Sequence, residues 1–220
     1  MRRGLVALGD SITNGTGEPA LGVHAQSWAQ WLAEALEVPF TKLAGDGALA
    51  ADVLAAQVPR LRGPYDVGCV YAGVNDVRGL DWDAGAYEAT LRAIVAAVGE
   101  ASERVLLCTL PADLGRPRAA PKPAIASAIV RRVAADHGAA LDALDDFAGR
   151  PWLLPDAVHP TALGQLEIAD RAARALGAPA LPSSLVEVDR GGCARLRFAR
   201  RQAVLLAADL RRRAVERRHA

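Results

Sequence analysis

Five short apolar runs alternate along this chain with longer stretches whose apolar residues recur every three or four positions. The runs occupy Leu5–Leu8, Phe40–Leu43, Val67–Tyr71, Val105–Leu110 and Ala140–Leu144, and each is bordered by turn residues. Short, continuously apolar strands are typical of a parallel sheet that is covered on both faces. The alternation therefore predicts βαβ units and an α/β fold, a three-layer α/β/α sandwich around a mainly parallel five-stranded sheet.

The stretches between these runs predict the helices that cover the sheet. They occupy Ser27–Leu36, Ala50–Val58, Ala84–Val98, Ile125–Asp136 and Thr161–Leu176. Apolar residues have helical spacing in each of them. Because the chain has 220 residues and is 51% apolar, it can bury one sizeable core, which favours a single domain. We place that domain at residues 1–181.

A basic extension follows the proline-containing break at Pro179–Pro182. Residues 182–220 contain ten arginines against four acidic residues, a net charge of +6; since the whole chain carries +1, residues 1–181 carry −5. Within the extension we predict a helix over Ala199–Arg217. Its narrow apolar stripe consists of Ala203, Leu206, Leu210 and Ala214. The stripe would dock on the acidic domain or pair with a second copy in a homo-oligomer.

The composition argues against nucleic-acid and membrane partners. A net charge of +1 gives the whole molecule no electrostatic attraction for nucleic acid. The basic extension holds a single aromatic residue, Phe198, which favours a solvated helix over a nucleic-acid or membrane-surface element. No apolar run approaches the roughly 20 residues that span a bilayer. The expected partner is a small molecule.

The N-terminus and the cysteines favour a cytoplasmic location. Met1–Arg3 is followed by only five residues before the first polar turn, too few for the apolar region of a secretory signal. Of the three cysteines, Cys69 and Cys108 fall in predicted strands, so we expect buried free thiols rather than a disulfide. No cysteine or histidine cluster has the spacing of metal ligands, and we expect neither a metal nor a cofactor.

The sequence Gly-Asp-Ser-Ile at residues 9–12 directly follows the first predicted strand. In open α/β sheets, ligands bind at the edge where the parallel strands end, and the hydroxyl of Ser11 would lie there. A serine hydroxyl needs a base within hydrogen-bond reach to act as a nucleophile. Gly, Asp and Ser are also ordinary turn residues, so a plain turn is the alternative for this motif.

His159 is the histidine whose surroundings suit such a base. The others are His24, His137 and His219. His159 lies in Asp-Ala-Val-His-Pro at residues 156–160, just before a predicted helix. The Asp156 carboxylate could accept a hydrogen bond from Nδ1 of the imidazole and leave Nε2 to take the serine proton. Asp and Pro before a helix are also capping signals, which is the alternative for this motif.

Two further loops at the same sheet edge carry donors for a negatively charged oxygen. Gly-Val-Asn-Asp at residues 73–76 follows the third strand, and the side-chain amide of Asn75 could donate there. Between the second strand and its helix, the backbone N–H of Gly47, or alternatively of Gly45, could donate as well. Both sequences are also common turns when each is taken by itself.

In this order, the four motifs resemble those of the SGNH hydrolases, the family of GDSL-type esterases and lipases. The resemblance covers residues 4–177, and Asn14–Gly17 continues the first motif in the same manner. The second motif of the family usually opens with an Asn, where this chain has Lys42 or Leu43. The resemblance implies a flavodoxin-like fold and a serine esterase or lipase that works through an acyl-enzyme without a cofactor.

The resemblance also implies a role for each motif residue. Ser11 would be the nucleophile, His159 the general base and acid, and Asp156 the residue that orients His159. The oxyanion hole would consist of the backbone N–H groups of Ser11 and Gly47 and the side chain of Asn75. Two supporting residues complete the implied site, Asp10 in the nucleophile turn and Asp76 beside the Asn75 loop.

Alternatives to an esterase remain open at this point. An acyltransferase or a deacetylase that acts on a small-molecule or sugar acceptor would use the same residues. A non-catalytic ligand-binding module on this scaffold is disfavoured, because the residue types needed for catalysis fill all four motifs. Since the motifs end at residue 160, we expect the segment after Pro182 to be dispensable for the chemistry.

Overall fold

A parallel sheet of five strands forms the middle layer of the fold. The computed structural model describes residues 3–114, 121–149 and 151–218, with the backbone alone for 212–218. The strands are β1 Leu5–Gly9, β2 Phe40–Lys42, β3 Tyr65–Tyr71, β4 Ser102–Cys108 and β5 Ala140–Asp142. They lie in the order β2-β1-β3-β4-β5, and all neighbouring pairs are parallel. The predicted α/β fold with a five-stranded parallel sheet is confirmed.

Helices flank this sheet. They are α1 Ser11–Asn14, α2 Trp28–Ala35, α3 Ala50–Asp52, α4 Val74–Arg78, α5 Ala84–Ala101, α6 Lys122–His137, α7 Ala162–Ala175 and α8 Gly192–Arg218. α2 packs against α7, and α5 packs against α6. The Ser27 hydroxyl caps the start of α2 and the Thr161 hydroxyl that of α7. Within the described part of the chain, no helix is long and apolar enough to cross a membrane.

β1 occupies an interior position of the sheet, and its register sets the functional edge. All five of its residues are buried, as its continuous apolar sequence predicts. β1 pairs with β3 from Leu5 opposite Val67 to Gly9 opposite Tyr71. The C-terminal ends of the two strands therefore lie side by side. As a result, the motifs at 9–12 and 73–76 emerge at the same edge of the sheet.

The helix predicted over Ala50–Val58 is broken in the structure. A single α-helical turn, α3, is followed by a π-helical segment, Val53–Gln57, and a 3₁₀ turn, Val58–Arg60. Pro59 cannot donate a backbone hydrogen bond, which favours the tighter ending. The wider π turn leaves Gln57 facing the protein interior, where only 4% of it is accessible.

α8 begins before the predicted Ala199 and presents a different face to the rest of the molecule. Ala203 is exposed, and 37% of Leu206 and 56% of Leu210 are accessible, so the predicted docking of this stripe on the domain is wrong. The side chain of Ala214 lies outside the described residues. The covered face consists of Ala194, Phe198, Gln202, Leu205 and Asp209. Pairing of the exposed stripe with a second copy stays a prediction.

Two contacts connect α8 to the domain in this orientation, and the first buries the larger apolar surface. The aromatic ring of Phe198 packs against the hydrophobic core, and it buries more apolar surface than an alanine of the predicted stripe would. Arg201 donates to both carboxylate oxygens of Glu18, at 3.0 and 2.6 Å. Helical spacing alone does not distinguish these residues from the predicted stripe, because both sets recur every three or four positions.

Asp142, the last residue of β5, makes the stability of the fold depend on pH. It is 1% accessible, and desolvation by burial raises its pKa from 3.8 to about 8, against the opposing effect of Arg171. The folded protein thus keeps a proton that the unfolded chain releases near pH 4. The contribution of Asp142 to stability is therefore greatest below pH 4 and falls as the pH rises to about 8.

We expect Asp142→Asn to be more stable than the wild type at pH 8, by ~2–5 kcal/mol, with the difference shrinking towards pH 4. Urea unfolding at a series of pH values measures this difference. Asp81→Asn removes a carboxylate at an exposed position and serves as the matched control. A stability difference between Asp142→Asn and wild type that stays constant from pH 4 to 8 would contradict the prediction.

Candidate active site

The turn that carries Ser11 is built from Gly9 and Asp10. Gly9 has a φ of +151°, and a Cβ there would lie 2.2 Å from the carbonyl oxygen of Tyr71, so only glycine fits. Asp10 caps α1, because its Oδ1 accepts the backbone N–H of Ile12 at 2.9 Å. Ser11 is consequently the first residue of α1 at the C-terminal edge of the sheet, with 8% of its surface accessible.

His159 and Asp156 continue from Ser11 as a chain of hydrogen-bonding groups. Ser11 Oγ lies 3.0 Å from His159 Nε2, and His159 Nδ1 lies 2.7 Å from Asp156 Oδ2. The other carboxylate oxygen of Asp156 accepts the backbone N–H groups of Val158 and His159, each at 3.0 Å. Ala157 completes the tight loop with a φ of +59°. Such a chain can move a proton from a serine hydroxyl to an imidazole.

Asp156 is held in its charged form. Desolvation by burial would raise its pKa, but the hydrogen bonds from the His159 ring and from the backbone of Val158 and His159 outweigh it and lower the pKa to about 2. An ionised carboxylate at Nδ1 fixes the imidazole tautomer that leaves Nε2 open toward Ser11. It also stabilises the positive charge that the ring acquires with a proton.

Asp10, next to Ser11, has the opposite electrostatic character. It is 1% accessible, and among the described residues its Oδ2 has no hydrogen-bond partner. Desolvation by burial raises its pKa to about 7, although the hydrogen bond from Ile12 and the nearby His159 lower it. A neutral carboxyl therefore coexists with the charged Asp156 below pH 7. Its contact with the Ile12 N–H fits the predicted role of Asp10 in holding the turn.

Gly47 lies on a loop that is fastened to α1 and β1. Asp46 accepts hydrogen bonds from the Asn14 amide at 2.8 Å and the Thr16 hydroxyl at 3.1 Å. Gly45 donates its N–H to the Gly9 carbonyl at 3.1 Å, so this alternative donor is already used. The N–H groups of Ser11 and Gly47, in contrast, reach no acceptor among the described residues. Gly47 has a φ of +73° and open space where a Cβ would stand.

Asn75 and Asp76 bring the loop after β3 against the Gly47 loop. The Asn75 side-chain amide donates to the Ala48 carbonyl at 3.1 Å, which uses one of its two hydrogens. The Asp76 carboxylate accepts the Ala50 N–H at 3.1 and 3.2 Å. Desolvation by burial raises the pKa of Asp76. The four sequence motifs thus meet at one sheet edge.

Neither His24 nor His137, the other histidines that the structure describes, bonds to Ser11, Asp156 or His159. His24 is exposed, its Nε2 lies 3.0 Å from Gln26, and its ring packs on Trp31 at 4.9 Å between centroids. His137 is exposed at the end of α6, and His219 lies outside the described residues. Across the described ranges, no group of three or more His, Cys, Asp or Glu is arranged to hold a metal ion.

Two buried glutamines near Ser11 were missed in the sequence. Gln165 of α7 accepts the Trp28 N–H at 2.8 Å and donates to the Ile12 carbonyl at 2.9 Å, which fixes α1 against α2. Gln57 makes an analogous pair of hydrogen bonds to Gly9. The available signal was a glutamine at a core-facing position of an amphipathic helix. Sequence spacing does not say which backbone groups such a side chain reaches.

α8 lies beside the loop that carries Asp156. Leu205, Ala208 and Asp209 of α8 line a cavity of about 230 Å³ together with Leu154, Pro155 and Asp156. The side chain of Glu18 pairs with Arg201 of α8, and its backbone carbonyl accepts the N–H of Ala162 at 2.8 Å. Ala162 lies just after the motif that contains His159. The basic extension is therefore in contact with the surroundings of Asp156, although the family motifs end before it.

This contact changes the expectation that the extension is dispensable. We expect a chain that ends at Arg190 to lose roughly ten-fold in kcat for a small activated ester, since Asp156 and its loop lose their cover. Arg201→Ala is the matched control: it breaks an exposed ion pair worth about 0–1 kcal/mol and should keep kcat within about two-fold. Wild-type kcat in a truncated protein that is folded by circular dichroism would show that residues 191–220, the greater part of the segment after Pro182, are dispensable for the chemistry.

Comparison with known proteins shows the family and the fold of this chain. The model of the GDSL-like lipase/acylhydrolase family matches residues 7–166. An α/β hydrolase, LAE5, from the metagenome of Lake Arreo in Spain has a TM-score of 0.63 and 24% identity, over 79% of this chain and 94% of its own. No curated protein sequence is significantly similar to this chain.

Two further structures have the same fold. A tryptophan-to-isoleucine variant of Axe2, an acetyl xylan esterase from Geobacillus stearothermophilus, has a TM-score of 0.63 and 20% identity, over 80% of this chain and 95% of its own. A protein described as a GDSL-like lipase from Parabacteroides merdae has a TM-score of 0.63 and 18% identity, over 79% of this chain and 95% of its own. Because the family match spans most of the chain, the protein belongs to the GDSL-like lipase/acylhydrolase family and is a serine hydrolase of the GDSL type.

Proposed function

We propose that this protein is an esterase that hydrolyses a carboxylic ester through an acyl-enzyme on Ser11. The observation that carries the proposal is the uninterrupted chain from Ser11 Oγ to His159 Nε2, at 3.0 Å, and from His159 Nδ1 to Asp156 Oδ2, at 2.7 Å. Ser11 is the nucleophile, His159 the base and acid, and Asp156 the orienting carboxylate.

In the first half of the reaction, Ser11 Oγ attacks the ester carbonyl while His159 Nε2 takes its proton. The carbonyl oxygen becomes an oxyanion and accepts hydrogen bonds from the N–H groups of Ser11 and Gly47 and from the second amide hydrogen of Asn75. The tetrahedral intermediate then collapses. The C–O bond to the alcohol breaks, His159 gives its proton to the departing alcohol, and the acyl group stays on Ser11.

In the second half, water replaces the alcohol. His159 Nε2 accepts a proton from the water as its oxygen attacks the acyl carbonyl, and the same donors stabilise the second oxyanion. Collapse returns the proton to Ser11 Oγ and releases the carboxylic acid. The ionised Asp156 stabilises the protonated His159 in both halves, which its low pKa of about 2 supports at neutral pH.

Removal of an acetyl group from a sugar is the second candidate. The Axe2 variant with this fold comes from an acetyl xylan esterase, and a small acyl group needs little room beside the open position at Gly47. An acyltransferase would use the same acyl-enzyme and pass the acyl group to an acceptor alcohol. These candidates share Ser11 and differ in the alcohol that leaves or enters.

A panel of 4-nitrophenyl esters from acetate to decanoate, together with acetylated xylo-oligosaccharides, tests the proposal. We expect turnover of at least the short activated esters, and the kcat/KM values across the panel will show which acyl length is preferred. Ser11→Ala should retain only a small residual rate. Added acceptor alcohols distinguish a transferase, because they would yield a new ester instead of free acid. Turnover that is equal in wild type and Ser11→Ala would refute the acyl-enzyme on Ser11.

A further inference from the structure

Gln57 forms a closed pair of hydrogen bonds with Gly9. The Gly9 N–H donates to Gln57 Oε1 at 2.9 Å, and Gln57 Nε2 donates to the Gly9 carbonyl at 2.8 Å. Gln57 is 4% accessible and belongs to the π-helical segment Val53–Gln57. Gly9 is the last residue of β1 and stands two positions before Ser11. A buried side chain thus holds both backbone groups of the residue from which the nucleophile turn departs.

The side-chain amide of Gln57 makes the hydrogen bonds to Gly9 that a longer β2 strand would make. β2 pairs with β1 only as far as Lys42 opposite Ala7, so beyond this point the edge of β1 needs other partners. The Gly9 carbonyl also accepts the N–H of Gly45 at 3.1 Å. One carbonyl oxygen therefore joins Gln57, the strand before Ser11 and the loop that carries Gly47.

We infer that Gln57 is a positioning residue that sets the distance between the Ser11 hydroxyl and the Gly47 N–H by fixing Gly9. The inference rests on the proposed function of Ser11 and Gly47. Both polar atoms of the Gln57 side chain are bonded to Gly9, so its effect would pass through the backbone of Gly9 and the hydrogen bond from Gly45. Placement of this kind is catalytically important because a displacement of about 1 Å can cost ~10²-fold in rate.

A purely structural role for Gln57 makes a different prediction. Ser127 provides the comparison, since its hydroxyl pairs in the same way with both backbone groups of Leu110, at 3.0 and 3.2 Å. Ser127 is 2% accessible, and Leu110 follows β4, which is separated from β1 by β3. Loss of either pairing should lower stability, but only the Gln57 pairing adjoins Ser11.

The first test replaces Gln57 by methionine, which keeps the length of the side chain and removes both hydrogen bonds. We expect kcat for 4-nitrophenyl acetate to fall by roughly 10–100-fold while KM stays within about three-fold. The rate of Ser11 labelling by a fluorophosphonate should fall in the same proportion. Ser127→Ala, the matched control, should have a lower Tm with the kcat and labelling rate of the wild type.

The second test, Gln57→Glu, keeps the protein close to its native shape if methionine prevents folding. A protonated carboxyl can accept from the Gly9 N–H and donate to its carbonyl as the amide does, whereas a carboxylate cannot donate. We expect kcat near that of the wild type at low pH and an additional decline as the introduced carboxyl ionises. Other charged groups are close: Asp46, Asp52 and Arg60 line the cavity beside Gln57, and Asp10 adjoins Gly9. Because these groups are present in both proteins, the effect of the introduced carboxyl is the difference between the pH profiles of kcat for the variant and the wild type.

Two results would overturn the inference. One is a folded Gln57→Met protein with kcat and labelling within about two-fold of wild type. The other is a Gln57→Glu protein whose pH profile superimposes on that of the wild type. Failure of the proposed function looks different, because Ser11→Ala would then retain turnover and labelling. An inactive Ser11→Ala protein beside fully active Gln57 variants refutes the positioning role alone.

Discussion

Replacing Ser11 by alanine is expected to abolish labelling by a fluorophosphonate and to lower kcat for 4-nitrophenyl acetate by roughly 10⁴–10⁶-fold. Ser11 Oγ is the group that lies 3.0 Å from His159 Nε2, and alanine leaves the imidazole with no nucleophile to activate. The residual rate would come from binding and from the remaining oxyanion donors. Mass spectrometry of the labelled wild type should place the probe on Ser11.

The controls for this prediction use the same network. Ser127→Ala removes a buried serine outside the site and should label like the wild type. His159→Ala should lower kcat by about the same factor as Ser11→Ala. The double variant should lower kcat little further, because the effects of residues that act as one catalytic unit are not additive. Two results would show that these residues do not form one catalytic unit. One is labelling of Ser11→Ala at the wild-type rate; the other is a fold-loss in kcat of the double variant that equals the product of the two single losses.

The fold could be predicted because its determining signals are local. β1 is a continuous apolar run and β3 is apolar from Val67 onward, and each strand is followed by a turn rich in glycine and polar residues. Parallel strands place such turns at one edge, so the sequence was enough to predict that the turns carrying Ser11 and Asn75 would emerge at the same edge of the sheet. The contact between Asp156 and His159 could also be predicted, since both residues lie within one short loop.

The features that could not be predicted depend on long-range packing. Gln57 reaches Gly9 only because a π turn rotates it inward, and neither the turn nor its direction follows from apolar spacing. The covered face of α8 was predicted wrongly for a related reason. The covered face carries Phe198, which packs against the core, and Arg201 of the same helix bonds to Glu18, a residue 183 positions earlier.

Asn75→Ala is expected to lower kcat by roughly 10²–10³-fold with KM nearly unchanged, because the side-chain amide donates to the oxyanion only after the carbonyl has been attacked. The same substitution breaks the bond from Asn75 Nδ2 to the Ala48 carbonyl, at 3.1 Å. That loss should lower the free energy of unfolding by only about 1 kcal/mol. Steady-state kinetics and urea unfolding of the same preparation separate the two effects.

Asn14→Ala is the matched control for Asn75→Ala, because it too removes an amide that holds the Gly47 loop. Asn14 Nδ2 donates to Asp46 at 2.8 Å, and the proposed mechanism assigns it no contact with the oxyanion. If Asn75 acts only by supporting the loop, the two variants should lose similar activity. If it donates to the oxyanion, Asn14→Ala should lose less than about ten-fold and Asn75→Ala far more. Equal losses in both variants would reduce Asn75 to a loop contact and leave the oxyanion hole to the N–H groups of Ser11 and Gly47.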